Sequence, residues 1–229
     1  MSKLTRRERE KLQRHNDILQ AAEKKFFEKS YDEVSMDLIA KDVELSKATL
    51  YLYFKNKQSL YFAVVIKGMV ILRDMFKKAV KIETTGLGKV LSIIQAYFDY
   101  MQVHSNYYRL NLSARAPRFT KMLQNDEDEG TKIENAEEYI ELTKELLGLL
   151  TNAVTLGIKD GTIRSELDPL QTVMFLGAAI EATVHISPEY QLLIDMYGMT
   201  AEGYHQHSIN VLLRGIAGEK IKIKKDIQS

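Results

Sequence analysis

Residues 34–61 constrain the fold more strongly than any other stretch of this 229-residue chain. Ser35 can cap a first short helix over 36–43, since Ser accepts hydrogen bonds from free backbone N–H groups. Three apolar residues of that helix share one face: Leu38, Ile39 and Val43. After a two-residue interruption, Ser46 can cap a second, very short helix over Lys47–Tyr51. Two short helices joined by so tight a turn predict a helix-turn-helix, whose second helix enters the major groove of DNA.

The residue types of the second helix predict which side chains would contact DNA. Lys47, Ala48 and Thr49 form its first turn, the part of a recognition helix that reaches base edges. Hydroxyl and ammonium groups suited to phosphate oxygens follow at Tyr51, Tyr53, Lys55 and Lys57. The predicted DNA-binding set also includes the two caps and one neighbour: Ser35, Met36 and Ser46. The apolar residues between them are expected to pack inward: Leu45, Leu50 and Phe54.

The same stretch closely resembles the DNA-binding segment of the TetR/AcrR family of bacterial transcriptional repressors. There the segment reads roughly Ile-Ala-x-x-Ala-Gly-Val-Ser-x-x-x-Leu-Tyr-x-Tyr-Phe-x-x-Lys-x-x-Leu. The matching positions are Ile39, Ala40, Ser46, Leu50, Tyr51, Tyr53, Phe54, Lys57 and Leu60. This chain departs from the pattern at Glu44, where the family usually has Gly in the turn. Because Gly takes a positive φ without strain, keeping that geometry at Glu44 should cost on the order of 1 kcal/mol.

Composition favours an all-α protein and excludes several classes of site. Only three residues are Pro, whereas 45% are hydrophobic and 28% are charged. The absence of cysteine excludes a disulfide framework, a thiolate metal site and a cysteine nucleophile. The amino terminus lacks the apolar core of a secretory signal, and no apolar run is long enough to span a bilayer. We therefore expect a cytoplasmic protein with no membrane partner.

Charge is only weakly informative about a nucleic-acid partner. The net charge is +1, divided as +3 over residues 1–57 and −2 over the remainder. This bias has the sign expected for a DNA-binding head, but an evenly charged surface would look nearly the same. Residues 1–8 read as a loose basic arm, which would either follow DNA phosphates or remain a solvated terminus.

Apolar periodicity predicts a series of further helices around this motif. Their approximate bounds are 9–29, 58–80, 87–104, 105–112, 131–159, 169–186 and 189–217, the last with a break near Gly198 or Gly203. The interpretation is a three-helix DNA-binding domain over 1–57, followed by a larger helical domain for ligand binding and dimerisation over 58–218. Residues 219–229 are predicted to be a disordered tail.

The resemblance implies that the carboxy-terminal helices hold a ligand pocket and a dimer interface. Candidates to line a mostly apolar pocket are Tyr97, Phe98, Met101, His104, Tyr108, Phe119, Met122, Met174 and Phe175. Small and apolar residues on the helix over 169–186 predict the interface: Val173, Gly177, Ile180 and Val184, with Glu181 beside them. Internal packing is the alternative for both sets. An apolar or amphipathic small molecule is the expected effector.

The sequence gives little indication of a metal site or a catalytic site. His205 and His207 are two apart on a helix and point in different directions, so they do not predict a metal site. Phosphate-binding loops, nucleophile elbows and paired acid–base signatures are absent from the sequence. We therefore expect a regulator rather than an enzyme, with no cofactor: a homodimer that binds a palindromic DNA operator as a repressor and releases it on binding the effector. The alternatives are a helical enzyme or ligand carrier with a protein-interaction head, and an activator or nucleoid-associated protein.

Overall fold

The structure, a computed structural model, describes residues 5–124 and 133–218. Within these ranges the chain forms α-helices and no strand, apart from one isolated bridge between Ile163 and Ala217. The helices are α1 (Arg6–Glu28), α2 (Met36–Asp42), α3 (Lys47–Tyr51), α4 (Lys57–Ile82), α5 (Gly86–Val103), α6 (Ser105–Ala114), α7 (Pro117–Gln124), α8 (Ala136–Asp160), α9 (Pro169–Val184), α10 (Pro188–Met196) and α11 (Ala201–Ile216). The predicted all-α class is confirmed.

The first helix begins earlier than its apolar pattern predicts. Thr5 and Glu8 form a capping box: Thr5 Oγ1 accepts from Glu8 N at 3.3 Å, and Thr5 N donates to Glu8 Oε2 at 2.8 Å. The prediction of a loose arm is therefore wrong for residues 6–8, while residues 1–4 lie outside the described ranges. The Thr-x-x-Glu spacing of a capping box indicates that a helix starts here.

The predicted break in the last helix is also confirmed. The chain leaves the helical conformation after Met196, and Gly198 takes a positive φ of 67°. Thr200 then caps α11 by accepting a hydrogen bond from Gly203 N at 3.0 Å. The predicted helix over 131–159 begins at Ala136, and the tail over 219–229 lies outside the described ranges.

Packing groups the residues into two units, whose boundary falls within α4, α5 and α8. The first comprises Met1–Asp74 and Phe98–Lys144, and the second comprises Met75–Tyr97 and Glu145–Ser229. The first unit thus holds α1–α3 together with the start of α4, and also α6 and α7. The division into domains at residue 57 stays a prediction.

The first unit is built around a cluster of aromatic rings. Tyr61, Phe62 and Phe119 are fully buried. Tyr31, from the loop after α1, lies edge-on to Tyr61 and Phe119, with ring centroids 5.1 and 4.9 Å away. Phe26 contacts Tyr61 in the same way at 5.0 Å. Edge-to-face pairs at these distances add to the stability gained by burying the rings, so this cluster fixes α1 and its following loop onto α4 and α7.

The second unit packs α9 against α11 through one face of each helix. On α9 the buried face includes Val173, Leu176 and Ile180. On α11 it includes Ile209, Leu213 and Ile216. α5 also approaches α8 closely, because a Cβ at Gly86 would lie 1.9 Å from the backbone nitrogen of Gly157.

α10 diverges from α9 at a proline-marked turn. Ser187 caps α10 and Pro188 occupies its first turn, where the missing N–H is not needed. Among the described residues, no single helix has both the length and the apolar composition to cross a membrane. α9 and α10 meet those two criteria only when taken together, and they are bent by 69°.

The turn of the helix-turn-helix generates a stability prediction. Glu44 is the non-glycine residue that takes a positive φ, 54°, in the described ranges. That conformation costs an L-residue about 1–2 kcal/mol, whereas glycine's greater unfolded-state freedom costs about 0.4–1 kcal/mol. Glu44→Gly should therefore raise the free energy of unfolding by about 0.5–1 kcal/mol, measured by urea titration. Glu44→Ala keeps the Cβ and is the control. Equal stability of the two variants would contradict strain at this position.

Candidate functional site

The helix-turn-helix forms as the sequence predicts, with both caps in place. Ser35 Oγ accepts a hydrogen bond from Leu38 N at 3.1 Å, and Ser46 Oγ accepts one from Thr49 N at 3.1 Å. Between them the chain turns through Glu44, and Leu45 N donates to Ala40 O at 2.9 Å. The two serines therefore set the start of α2 and α3.

Burial on one side of α3 leaves its leading turn exposed on the other. Leu50 is fully buried and Phe54 is 5% exposed, as predicted, and Leu45 is half-buried. Lys47 and Ala48 are exposed, and Tyr51 is 40% exposed. α3 thus presents Lys47 and Ala48 on the surface of the first unit, whereas Thr49 is half-buried and its Oγ1 lies 2.8 Å from Ser46 Oγ.

Lys47 also makes a contact between the two helices of the motif. Its Nζ lies 2.9 Å from Asp37 Oδ2, and both side chains are more than half exposed. The hydrogen bond to Asp37 raises the pKa of the Lys47 ammonium above its ordinary value. Exposed ion pairs contribute little free energy, so a DNA phosphate could replace Asp37 as the partner of Lys47 at small cost.

Lys57 occupies a different place from the one predicted. Its Nζ donates to the backbone carbonyls of Tyr31 and Val34, both at 2.9 Å, and lies 4.2 Å from the centroid of the Tyr31 ring. Burial lowers the pKa of this ammonium. Lys57 therefore anchors the loop between α1 and α2, and its ammonium is not directed to a phosphate. Its predicted DNA contact is corrected for that reason.

Met36 is a second correction within the DNA-binding set. Its side chain is 6% exposed, so it packs in the core and does not present itself to DNA. Tyr53 is half-buried, while Lys55 is exposed and its backbone N donates to Glu134 Oε2 at 3.2 Å. Sequence reasoning missed Leu52, which is 79% exposed directly after Tyr51. Its apolar residue type gave no signal of exposure, because leucine is among the residues most often found buried.

Two arginines brace the end of α1 from helices distant in sequence. Arg109 Nη2 donates to the carbonyls of Phe26 and Phe27 at 3.1 and 2.6 Å. Arg118 Nη1 donates to both carboxylate oxygens of Asp32, at 3.1 and 2.9 Å. These contacts join α6 and α7 to the helix-turn-helix support. Each arginine lies more than 80 residues from its partner in the sequence, so the periodicity of apolar residues could not indicate these contacts.

The predicted pocket residues divide between the two units, and the pocket itself stays a prediction. Tyr97 belongs to the second unit, where its hydroxyl bonds to Glu181, whereas Phe119 is buried in the aromatic cluster of the first unit. Met174 and Phe175 are 64% and 60% exposed, and their role in ligand binding stays a prediction. The remaining candidates within the first unit are buried or half-buried: Phe98, Met101, His104 and Tyr108. The side chain of Met122 lies outside the described residues.

A cavity of about 600 Å³ lies elsewhere in the first unit, beside the helix-turn-helix. α1, the turn after α3, α4 and the start of α8 form its walls. The lining residues are His15, Leu19, Tyr53, Phe54, Ser59, Ala63, Ile66, Lys67, Val70, Ile71, Glu134, Asn135 and Glu138. This volume is within the usual range for small-molecule sites.

Only some of the residues predicted to form the dimer interface on α9 are exposed. Val173 and Ile180 are 3% and 6% exposed and pack inside the second unit. Gly177 is exposed, Val184 is half-buried, and Glu181 accepts the hydrogen bond from Tyr97. α9 is apolar on most sides, so its sequence did not distinguish the inner face from the outer one. Large apolar side chains are exposed on all three of the last helices: Met174 and Phe175 on α9, Tyr190, Leu192 and Met196 on α10 with Tyr197 at its C-cap, and Val211 on α11.

The position of Lys57 leads to a second stability prediction. Lys57→Met should lower the free energy of unfolding by about 1–3 kcal/mol, because two carbonyls lose a charged donor. Lys55→Met is the matched control, since this exposed side chain should change stability by less than about 0.5 kcal/mol. Thermal or urea unfolding measures both. An equally small effect of the two substitutions would show that Lys57 is not an anchor.

Comparison with known proteins places this site in a family. Residues 18–64 match the family described as bacterial regulatory proteins, tetR family. The HTH-type transcriptional activator FasR of Mycolicibacterium smegmatis is 31% identical over 98 residues, 43% of this chain and 45% of FasR. The fatty acid metabolism regulator protein of Bacillus subtilis is 23% identical over 176 residues, 77% of this chain and 84% of that protein.

The fold is shared over nearly the whole chain. The structure of FadR from Bacillus subtilis in complex with stearoyl-CoA aligns with a TM-score of 0.59 at 22% identity, covering 87% of this chain and 98% of FadR. The structure of the ketosteroid transcriptional regulator KstR2 of Mycobacterium tuberculosis aligns with a TM-score of 0.60 at 18% identity, covering 90% and 96%. The head matches the family motif, and the remaining helices follow the family fold. Residues 18–64 of this chain therefore carry the sequence of the tetR family of bacterial regulatory proteins, and the described helices share the fold of solved regulators.

Proposed function

We propose that the protein is a ligand-responsive transcriptional regulator that binds a palindromic operator as a homodimer, most simply as a repressor. The observation that carries this proposal is the exposed leading turn of α3, held outward by buried Leu50 and Phe54. A regulator of this kind acts in the cytoplasm, needs no cofactor and catalyses no reaction.

The proposed DNA contacts divide into base-reading and phosphate-binding groups. Lys47, Ala48 and Thr49 lie at the start of α3 and would reach base edges in the major groove. Tyr51 and Lys55 would bind phosphates, since both are exposed and carry hydrogen-bond donors. Leu52 adds an exposed apolar side chain next to them, suited to a sugar or a thymine methyl.

The arginine contacts supply a route by which a ligand could change DNA affinity. α6 and α7 hold the end of α1 and its following loop through Arg109 and Arg118. A ligand that binds more tightly to one arrangement of these helices must shift the population toward that arrangement. The size of the shift is the difference between the ligand's binding free energies for the two arrangements. The complex of FadR with stearoyl-CoA supports an effector with a long apolar part.

Dimerisation would use the outer face of α9, α10 and α11. These helices expose large apolar side chains, including Phe175 on α9, Met196 on α10 and Val211 on α11. Large exposed apolar side chains, when they group together, are typical of a protein–protein interface. A two-fold dimer also satisfies the need for more contacts than one five-residue recognition helix can make.

Activation of transcription is the second candidate, because the relative FasR is described as an activator. The two directions of regulation use the same DNA-binding head. A reporter gene under the operator distinguishes them, since deleting the regulator raises expression for a repressor and lowers it for an activator.

Alanine substitutions in α3 test the DNA-binding assignment. Lys47→Ala and Tyr51→Ala should each weaken operator binding by about 1–2 kcal/mol, because each removes a donor to DNA. Binding is measured by gel shift on DNA flanking the chain's own gene, at several salt concentrations. Circular dichroism and sedimentation should be unchanged in both variants.

Lys159→Ala is the control for this experiment, since Lys159 is an exposed lysine of the second unit. It should bind the operator as tightly as the parent protein. If both α3 variants also bind with undiminished affinity, α3 is not the recognition helix.

A charge in the outer apolar face tests the dimer. Phe175→Lys should raise the dimer dissociation constant at least about tenfold, because a buried aromatic contact is replaced by an unpaired charge. Sedimentation velocity measures the effect. Val103→Lys changes a 74% exposed apolar residue of α5 and should leave the dimer intact. A Phe175→Lys protein that stays dimeric at the same concentration would place the interface elsewhere.

A further inference from the structure

Asp37 lies beside the recognition helix, on the other helix of the motif. It belongs to the first turn of α2, and its Oδ2 accepts a hydrogen bond from Lys47 Nζ at 2.9 Å. Lys47 is the first residue of α3, so this ion pair joins the leading turns of the two helices. The side chains of Asp37 and Lys47 are 63% and 53% exposed. A carboxylate and an ammonium are therefore presented side by side on the surface that the proposed function assigns to DNA.

Buried residues, and not this ion pair, hold the two helices in place. α2 buries Met36, Ile39 and Ala40, and α3 buries Leu50. An ion pair between exposed side chains adds little stability, because water screens it. The carboxylate has a cost instead, since it repels the phosphates of any DNA sequence. A favoured DNA site must therefore offer Asp37 a hydrogen-bond donor in compensation.

A G·C base pair offers the groups that this ion pair would bind. In the major groove, guanine presents the acceptors O6 and N7, and the paired cytosine presents its N4 amino donor. Lysine suits the guanine acceptors, and aspartate suits the cytosine amino group. In an A·T base pair the adenine amino group lies between the two nearest acceptors, so one ammonium meets only one of them.

The two side chains can bind each other and the bases at the same time. An ammonium has three donors, and an ionised carboxylate accepts on both oxygens. Lys47 can therefore keep its bond to Asp37 while it donates to guanine, and Asp37 can still accept from cytosine. Because the two side chains already contact each other within one chain, they lose less conformational freedom when they bind the bases.

We propose that Asp37 and Lys47 together read one G·C base pair in each half of the operator, with Lys47 donating to guanine and Asp37 accepting from the paired cytosine. This inference rests on the proposed function and adds Asp37 to the residues that determine its specificity. Asp37 contributes by rejecting other sequences, because its charge is repelled wherever the DNA offers it no donor.

A set of operator duplexes tests this reading in the full-length protein. The operator is taken from the gel shift on DNA flanking the chain's own gene, and one G·C pair at a time is replaced by A·T in both half-sites. At one of these positions the parent protein should lose affinity at least about tenfold, measured by fluorescence anisotropy. The same replacement should cost Asp37→Ala and Lys47→Ala each at least about threefold less, because part of the contact is already missing.

Three outcomes for Asp37→Ala would overturn the proposal. If it binds every duplex more tightly by one common factor, Asp37 only repels phosphates. If it binds every duplex more weakly by one common factor, Asp37 only supports the motif. If Asp37→Ala and Lys47→Ala change the preference at different positions, the two residues do not read the same base pair.

Asp37→Asn tests the same contact with a side chain of the same size. An asparagine amide suits the N6 and N7 groups of adenine. On a duplex with adenine in the place of that cytosine, Asp37→Asn should therefore lose at least about threefold less affinity than the parent protein. The full G·C preference of the parent in Asp37→Asn would overturn the proposal even if Asp37→Ala fails to fold.

Glu141→Ala is the control for the loss of a surface acid. Glu141 is a 70% exposed residue of α8 whose carboxylate pairs with Lys144 at 2.7 Å. Its removal should leave every base preference unchanged. An effect equal to that of Asp37→Ala would show that the preference does not come from the position of Asp37.

The parent protein separates this inference from the proposed function. If it binds no operator, the proposed function and the reading of a G·C pair both fail. If it binds the operator and Asp37→Ala keeps every base preference of the parent, only the inference about Asp37 fails.

Discussion

The burial of Leu50 and Phe54 is the interaction on which the proposed activity depends. α3 has only five residues, and isolated helices shorter than about 12–15 residues are marginal in water. Its conformation therefore comes from the Ser46 cap and from two buried side chains, each contributing about 1.5–3 kcal/mol. Because those side chains fix the inner face of α3, Lys47 and Ala48 are held on the outer face.

The support beneath α3 is assembled from several distant parts of the chain. Lys57 fixes the loop after α1 by binding its carbonyls, and the Tyr31 ring of that loop packs between Tyr61 and Phe119. Arg118 reaches the same loop through Asp32. The position of the recognition helix thus depends on α4 and α7 as well as on its own motif. This arrangement explains why packing extends the first unit well beyond residue 57.

The local parts of this fold were predictable, because short-range chemistry determines them. Ser35 and Ser46 cap their helices as expected, and Glu44 takes the positive φ that glycine usually occupies at this turn. The start of α1 was missed although the Thr5–Glu8 capping box was present in the sequence. That four-residue spacing by itself places the helix start at Thr5.

The long-range parts were not predictable from periodicity. α9 is apolar on most sides, so a pattern of hydrophobic residues could not show that Val173 packs inward while Phe175 faces out. Lys57 likewise has the residue type of a phosphate contact, and only the fold shows two carbonyls within reach of its ammonium. The predicted DNA contact of Met36 was wrong for the same reason, because its position next to the Ser35 cap did not reveal that its side chain is buried.

The cavity and the recognition helix share a side chain, and this sharing limits what a ligand can do. Phe54 anchors α3 from the inside and also forms part of the cavity wall. A ligand that contacts Phe54 without moving it would bind both forms of the head equally, and would shift no population however tight its binding. Regulation requires that the ligand favour a different position of Phe54 or of the turn that carries it. Since α3 depends on that burial, even a small displacement of Phe54 would change the exposed turn that meets DNA.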